Sequence, residues 1–300
     1  MLQPGSISIN NVIKTSVFTA LALIAFAANS VLCRLALGEE TIDAASFTVI
    51  RLLSGALVLL AILAFSNDKE ASASRGSWSA SLMLFVYAVA FSFAYISLDT
   101  GTGALILFGS VQITMILLSL VSGNRLHLSE WVGVIIAFTG FVYLVLPEVT
   151  SPSVMGFLLM IAAGIAWGMY TLKGRGSAHP LKDTAYNFLR TIPLVIILLV
   201  ITIQDAHYSA AGVLLAVLSG GIASGIGYTI WYIALGGLST TQAAVVQLSV
   251  PVIAAFGGVL FVSEAITARL TLSASMVLGG ILLVVLGRFY FVQRKLNTKT

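Results

Sequence analysis

Apolar residues fall in ten long blocks along the chain, at about 12–37, 44–65, 79–98, 102–121, 129–147, 153–173, 184–203, 209–235, 240–263 and 270–292. At 1.5 Å of rise per residue, about twenty residues cross a roughly 30 Å hydrocarbon layer, so the pattern predicts ten membrane-spanning helices. The connections are short, and only Ser66–Ser77 and Gly174–Asp183 are long enough to be loops in their own right. The stretch Ser239–Leu270 carries Pro251 near its middle. A mid-helix proline frees a carbonyl, which lipid tolerates only where protein or water satisfies it. A kinked ninth helix facing protein or a cavity, with Pro251 as its hinge, is the expectation.

The second half echoes the first at a spacing near 139 residues. Arg51 pairs with Arg190 (190 − 51 = 139), each four residues after an aromatic, Phe47 or Tyr186. Arg34 pairs with Lys173, Tyr95-Ile-Ser-Leu with Tyr232-Ile-Ala-Leu, Ser110-Val111 with Ser249-Val250, and Gly140 with Gly280. A unit of five spans repeated in one chain must point the other way the second time. The expected fold is therefore all-α and polytopic, with ten transmembrane helices as two inverted five-helix repeats, 1–150 and 151–300.

Composition agrees with this setting. Hydrophobic residues make up 59% of the 300 and charged residues 9%, against roughly 25% charged in a soluble domain. With the N-terminus inside, 11 of the 15 lysines and arginines fall on the cytoplasmic side, Arg34 and Arg269 outside, and Arg51 and Arg190 within helices. Both termini are expected to be cytoplasmic. The net charge of +4 then reads as a topology signal, and no nucleic-acid partner is needed to explain it. The single cysteine, Cys33, has no partner in the chain for a disulfide. Met1–Asn11 is polar and uncharged, so no cleavable signal peptide is expected.

The polar and aromatic residues inside the blocks are the candidates for solute contact. Tyr87, Phe91 and Tyr95 recur every four residues and share one helical face. Their counterparts are Ser224, Tyr228 and Tyr232, with Trp231 alongside. Trp167, inside the small-residue run Gly164–Gly168, and Tyr170 add aromatics to the sixth block; Asn29, Gln112, Gln242 and Gln247 add uncharged hydrogen-bonding groups. Ordinary packing, interfacial placement of Tyr95 and Tyr232, and interhelical hydrogen bonding are the competing explanations. Arg51 and Arg190 can offer a bidentate fork to a carboxylate or pin helix ends through carbonyls. Their recurrence at one repeat position favours pinning. All eleven carboxylates fall in connections or near block ends, which disfavours exchange of protons for a cation and favours a neutral or zwitterionic solute. His127, His179 and His207 lie in connections, and neither an HExxH pattern nor a paired-acid arrangement occurs, so neither catalysis, metal nor cofactor is expected.

The plan resembles the drug/metabolite transporter superfamily, specifically its EamA-type exporters, over essentially the whole chain. The resemblance rests on Pro251 with Glu264, Asn29 with Arg34, Trp167 with Lys173, and the pair Arg51 and Arg190. The first half departs from it, with Gln112 and Arg125 standing where Pro251 and Glu264 stand in the second. The resemblance implies a multi-pass transporter of the bacterial inner membrane that exports small metabolites by alternating access. Its cavity would be lined by the first, third, fourth, sixth, eighth and ninth helices. Within the family the chain looks most like the aromatic amino-acid exporters, with uncoupled facilitated diffusion physically sufficient. A multidrug or other metabolite exporter and a polar-lined channel are the alternatives. A monomer surrounded by lipid is the default, since ten helices can enclose a core alone.

Overall fold

A chain this poor in charge must satisfy its backbone internally once in lipid, and helices do so segment by segment. The computed structural model describes residues 9–65, 75–121, 128–145, 153–174, 177–238, 243 and 246–297. Among these the regular structure is helical apart from one isolated bridge, Ile42 to Tyr208. The helices are α1 (Ile9–Gly38), α2 (Ala44–Phe65), α3 (Trp78–Ala94), α4 (Thr100–Val121), α5 (Leu128–Val145) and α6 (Val154–Gly174). They continue as α7 (Pro180–Arg190), α8 (Ile192–Thr202), α9 (Ala210–Val217), a π-helical stretch (Leu218–Ile226), α10 (Gly227–Leu235), α11 (Val250–Phe261) and α12 (Ala268–Asn297). Among the described residues seven spans are long and apolar enough to cross a membrane, and three shorter apolar helices bring the number to ten.

Three spans differ from the hydropathy pattern. The seventh begins at Pro180 and breaks between α7 and α8, where Pro193 lacks a backbone donor and the Thr191 hydroxyl and N–H both turn back to the Phe188 carbonyl. The eighth widens into the π-helical stretch in its glycine-rich middle. In the ninth, Pro251 does not kink the middle of a helix. It sits in the first turn of α11, after a turn at 248–249, where a missing N–H leaves nothing unpaired.

The packing maps onto itself when the halves are exchanged. α3 lies on α6 as α10 lies on α1, α4 on α6 as α11 on α1, and α2 on the π-helical stretch as α7 on α3. The pairs α2 with α7, α4 with α11 and α5 with α12 are their own counterparts. The closest of these crossings is at Gly220, where an added Cβ would overlap the Arg51 carbonyl and Ser54 Oγ of α2. The outer faces are apolar: Ile197, Val200 and Ile201 of α8 are 56–73% exposed, as a lipid-facing helix requires.

Candidate functional site

The helices shared by the two halves converge on an aromatic cage. Trp167 of α6 stands between Tyr87 of α3 (ring centroids 4.9 Å) and Tyr228 of α10 (4.6 Å). Phe26 of α1 packs edge-on to Trp167 at 6.0 Å, and Phe91 lies 5.3 Å from Tyr87. The i, i+4 spacing of Tyr87 and Phe91 puts both on one face of α3. Gly164 lets α4 approach α6, since a Cβ there would press on Leu107 O and Ser110. Phe26, Asn29, Tyr87, Phe91, Leu107, Phe108, Trp167 and Tyr228 leave a void of about 10 Å³, about the space of one water. The cage is closed on itself. A larger cavity of about 590 Å³ lies elsewhere, between α4, α5 and α6, lined by Phe138, Phe141, Phe157 and Ile165. Its apolar wall includes Phe138 at 64% exposure, which marks it as a lipid-facing groove rather than a solute site.

One charge sits behind the cage wall, against the rings of Tyr87 and Phe91 and outside the residues that line the void. Arg51 is 1% exposed. Its Nη2 donates to the hydroxyls of Tyr87 (3.1 Å) and Tyr228 (3.2 Å), and its Nε donates to Ser224 Oγ (3.3 Å). The guanidinium carbon lies 4.8 Å from the Phe91 ring centre and 5.2 Å from that of Tyr87. Asn29 joins the network, its Nδ2 donating to the Tyr87 hydroxyl (3.3 Å) and its Oδ1 accepting from Ser219. The two repeat-related arginines therefore differ. Arg190 bonds the Arg75 carbonyl and lies over the Trp78 ring at the end of the bundle, as a helix-end pin does. Arg51 donates to side-chain hydroxyls, two of which, those of Tyr87 and Tyr228, belong to residues lining the void.

Two joints close the bundle on either side of the cage. At one end Arg34 Nε donates to Glu264 Oε1 (3.1 Å), its Nη2 lies 3.7 Å from Asp99, and its Nη1 donates to the carbonyls of Tyr95 and Ile96. The Thr100 N–H donates to both Glu264 oxygens. Asp43 adds a second tie there by accepting from the His207 N–H (3.0 Å). At the other end the N–H groups of Gly76 and Ser77 donate to Asp183 Oδ1 and Asn187 Oδ1. Gly76 has φ +65°, the left-handed region that glycine adopts without strain.

Two of the carboxylates at the Arg34 end, Glu264 and Asp43, respond oppositely to acid. Burial raises Glu264 above the usual carboxylate range, with Asp99 adding to the shift and the Thr100 donors and Arg34 opposing it. The folded state thus holds the Glu264 proton more tightly than the unfolded chain, and stability from this group rises as pH falls through the raised pKa. Burial also pushes Asp43 up, but the donors from Ser46 and His207 outweigh it and hold the carboxyl low. Its contribution is present above the unfolded pKa and is lost as pH falls through the depressed value. Arg34→Gln is therefore expected to destabilise the protein by about 1–3 kcal/mol near neutrality, because it strands an ionised Glu264. Glu264→Gln is expected to stay within about 1 kcal/mol of the parent, since Arg34 keeps Asp99 and two carbonyls. Thermal unfolding of the two variants checks this: their difference should shrink as the pH is lowered from neutrality through the raised Glu264 pKa. Equal losses near neutrality would contradict a raised Glu264.

Among the residues singled out in the sequence, Asn29, Tyr87, Phe91, Trp167 and Tyr228 line the void. Tyr170 packs tilted against Trp167 (5.5 Å), and Trp231 and Tyr95 pack edge-on to Phe26 (5.6 Å) and Phe91 (4.8 Å), each one ring away from the centre. Tyr95 and Tyr232 are 0% and 9% exposed, so neither is an interfacial tyrosine. Tyr232 packs at Gly174, toward the Asp183 end, and Gln112 is buried a turn beyond Phe108 without lining the void. Gln247 donates to its own helix at Ala243 O. Gln242 lies outside the described residues. Phe26, Phe108, Ser219 and Ser224 complete the site. Phe26 stands three residues before Asn29 and Phe108 four before Gln112, a same-face spacing that was the available signal.

Ten helices in two inverted repeats around a closed central cage define a membrane transporter. The model of the EamA-like transporter family matches residues 13–146 and again 154–286. The chain belongs to that family. It is similar to an uncharacterized protein of Pseudomonas aeruginosa, 48% identical over 275 residues that make up 92% of this chain and 96% of the relative. It is also similar to an uncharacterized transporter of Archaeoglobus fulgidus, 28% identical over 194 residues, 62% of this chain and 68% of the relative. A probable amino-acid metabolite efflux pump of Escherichia coli is 25% identical over 202 residues, with the same coverage. One solved crystal structure superposes with a TM-score of 0.62 at 20% identity, across 89% of this chain and 96% of its own, and shares the fold.

Proposed function

We propose that this transporter exports amino acids with aromatic or large apolar side chains by alternating access, without ion coupling. The observation that carries the reading is the cage itself: packed, tilted rings for an apolar side chain, with hydroxyl and amide groups in its wall and a guanidinium behind it, at the meeting of the two halves. The similarity to the amino-acid metabolite efflux pump of Escherichia coli supports the substrate class. The absence of a carboxylate at mid-depth among the described residues supports a solute other than a cation. Both termini face the cytoplasm in this reading, which sets the chain in the plasma membrane with the Arg34 end outward. Rocking of the halves breaks the Asp183 joint to admit solute and the Arg34 joint to release it, while the other joint keeps the path shut. The protein works as a monomer.

The test is uptake of radiolabelled phenylalanine, tryptophan or threonine into proteoliposomes without an ion gradient, with and without unlabelled amino acid preloaded. Saturable uptake that preloading accelerates is expected for the aromatic substrates. Uptake that neither saturates nor responds to preloading would mean a channel, and uptake only with a proton or sodium gradient would remove the uncoupled mechanism.

A further inference from the structure

We infer that Arg51 is the recognition group for the carboxylate of the transported solute, so that the site selects carboxylates over amines. The inference rests on the proposed function for where the solute sits. It rests on the geometry for what that solute must carry.

A guanidinium has five N–H donors. In this structure three are committed, one from Nε to Ser224 and two from Nη2 to Tyr87 and Tyr228. Nη1 is buried without a hydrogen-bond partner. The ion pairs that Arg34 makes have no equivalent here: no carboxylate among the described residues pairs with Arg51. A permanent cation held in a membrane-spanning segment by hydroxyls and ring faces alone is expensive to keep, and such residues are retained for function. A carboxylate supplies the missing counter-charge in the bidentate geometry that Nη1 and Nη2 together present. It would take one donor from Nη1 and one from Nη2, drawing Nη2 away from one of the tyrosine hydroxyls. Those two tyrosines, Tyr87 and Tyr228, flank Trp167 and line the void. Carboxylate binding therefore loosens one tie on the rings that must part for an apolar side chain to enter. The repeat-related Arg190 has no such role, because its guanidinium is engaged at the bundle end with the Arg75 carbonyl.

The experiment is ligand-induced thermal stabilisation of the purified detergent-solubilised protein, with phenylalanine, 3-phenylpropionate, phenethylamine and threonine as probes. A ligand that binds only the native state raises the unfolding temperature. Phenylalanine and 3-phenylpropionate are expected to stabilise at concentrations at least about tenfold below phenethylamine. Arg51→Gln is expected to erase that preference, and Arg51→Lys, which keeps charge but loses the fork, to retain part of it. Phenethylamine acting as well as phenylalanine overturns the role of Arg51 and leaves the aromatic transport reading standing. Threonine acting where the aromatic probes do not overturns the aromatic reading, while a loss of its effect in Arg51→Gln upholds the arginine. Silence of all four probes overturns both. If the Arg51 variants do not fold, the comparison of acid and amine on the parent protein decides the matter.

Discussion

Gly220→Val is expected to remove the folded protein. A side chain at this position meets the Arg51 carbonyl and Ser54 Oγ, groups fixed in the backbone and first side-chain atoms of α2 rather than at a flexible tip. Relief would require α2 and the π-helical stretch to separate along one of the principal contacts between the halves. The loss is expected to exceed about 4 kcal/mol, the range reserved for defects that nothing can relax. Size-exclusion profiles and thermal unfolding in detergent read it directly. Gly279→Ala is the control: its Cβ would meet nothing within 4 Å, and alanine favours a helix. A monodisperse Gly220→Val protein unfolding within a few degrees of the parent would show that the crossing is looser than described.

Trp167→Ala carries the second large effect, on substrate selection as well as stability. Its indole touches four rings, those of Phe26, Tyr87, Tyr170 and Tyr228, at 4.6–6.0 Å. Within a membrane the lost energy is packing rather than transfer from water, so a destabilisation of about 2–4 kcal/mol is expected, below the upper end for a soluble core. Trp167→Phe should recover most of it. In counterflow, Trp167→Ala should depress phenylalanine transport by more than about tenfold while threonine changes less, because only the aromatic substrate stacks. An unchanged preference for phenylalanine over threonine would make Trp167 a packing residue alone.

Much of the architecture was legible because apolar blocks in lipid can be little else, and because arginines within those blocks are rare enough to reveal the repeat at Arg51 and Arg190. The same comparison hid their difference. Equal positions in the repeat imply equal roles, whereas the partners of Arg51 come from α3, the π-helical stretch and α10, and the carbonyl that Arg190 bonds comes from the segment before α3. Hydropathy averages over windows, so it could not see the break at Thr191, or that α11 begins at Val250 and makes Pro251 a starting residue. The aromatic ladder of α3 stood out by its spacing. Phe26 and Phe108 did not, since a phenylalanine in an apolar helix offers no contrast, and only its distance from a polar neighbour marks a face. Gln247 is harder to read for a related reason: its amide donates one turn back along its own helix, which sequence spacing does not distinguish from a contact across the cavity.

The Gly220 crossing has a mechanical consequence. A rocking body moves least where its parts touch backbone to backbone, and the tightest such approach among the described glycines is at the carbonyl of Arg51. In the proposed rocking mechanism, the residue inferred to hold the solute carboxylate would therefore also sit at the fulcrum. Its Cα would stay nearly stationary while the helices on either side swing. The cargo would not need to travel with a moving arm: its acid end would stay anchored at the pivot while one doorway is traded for the other around it.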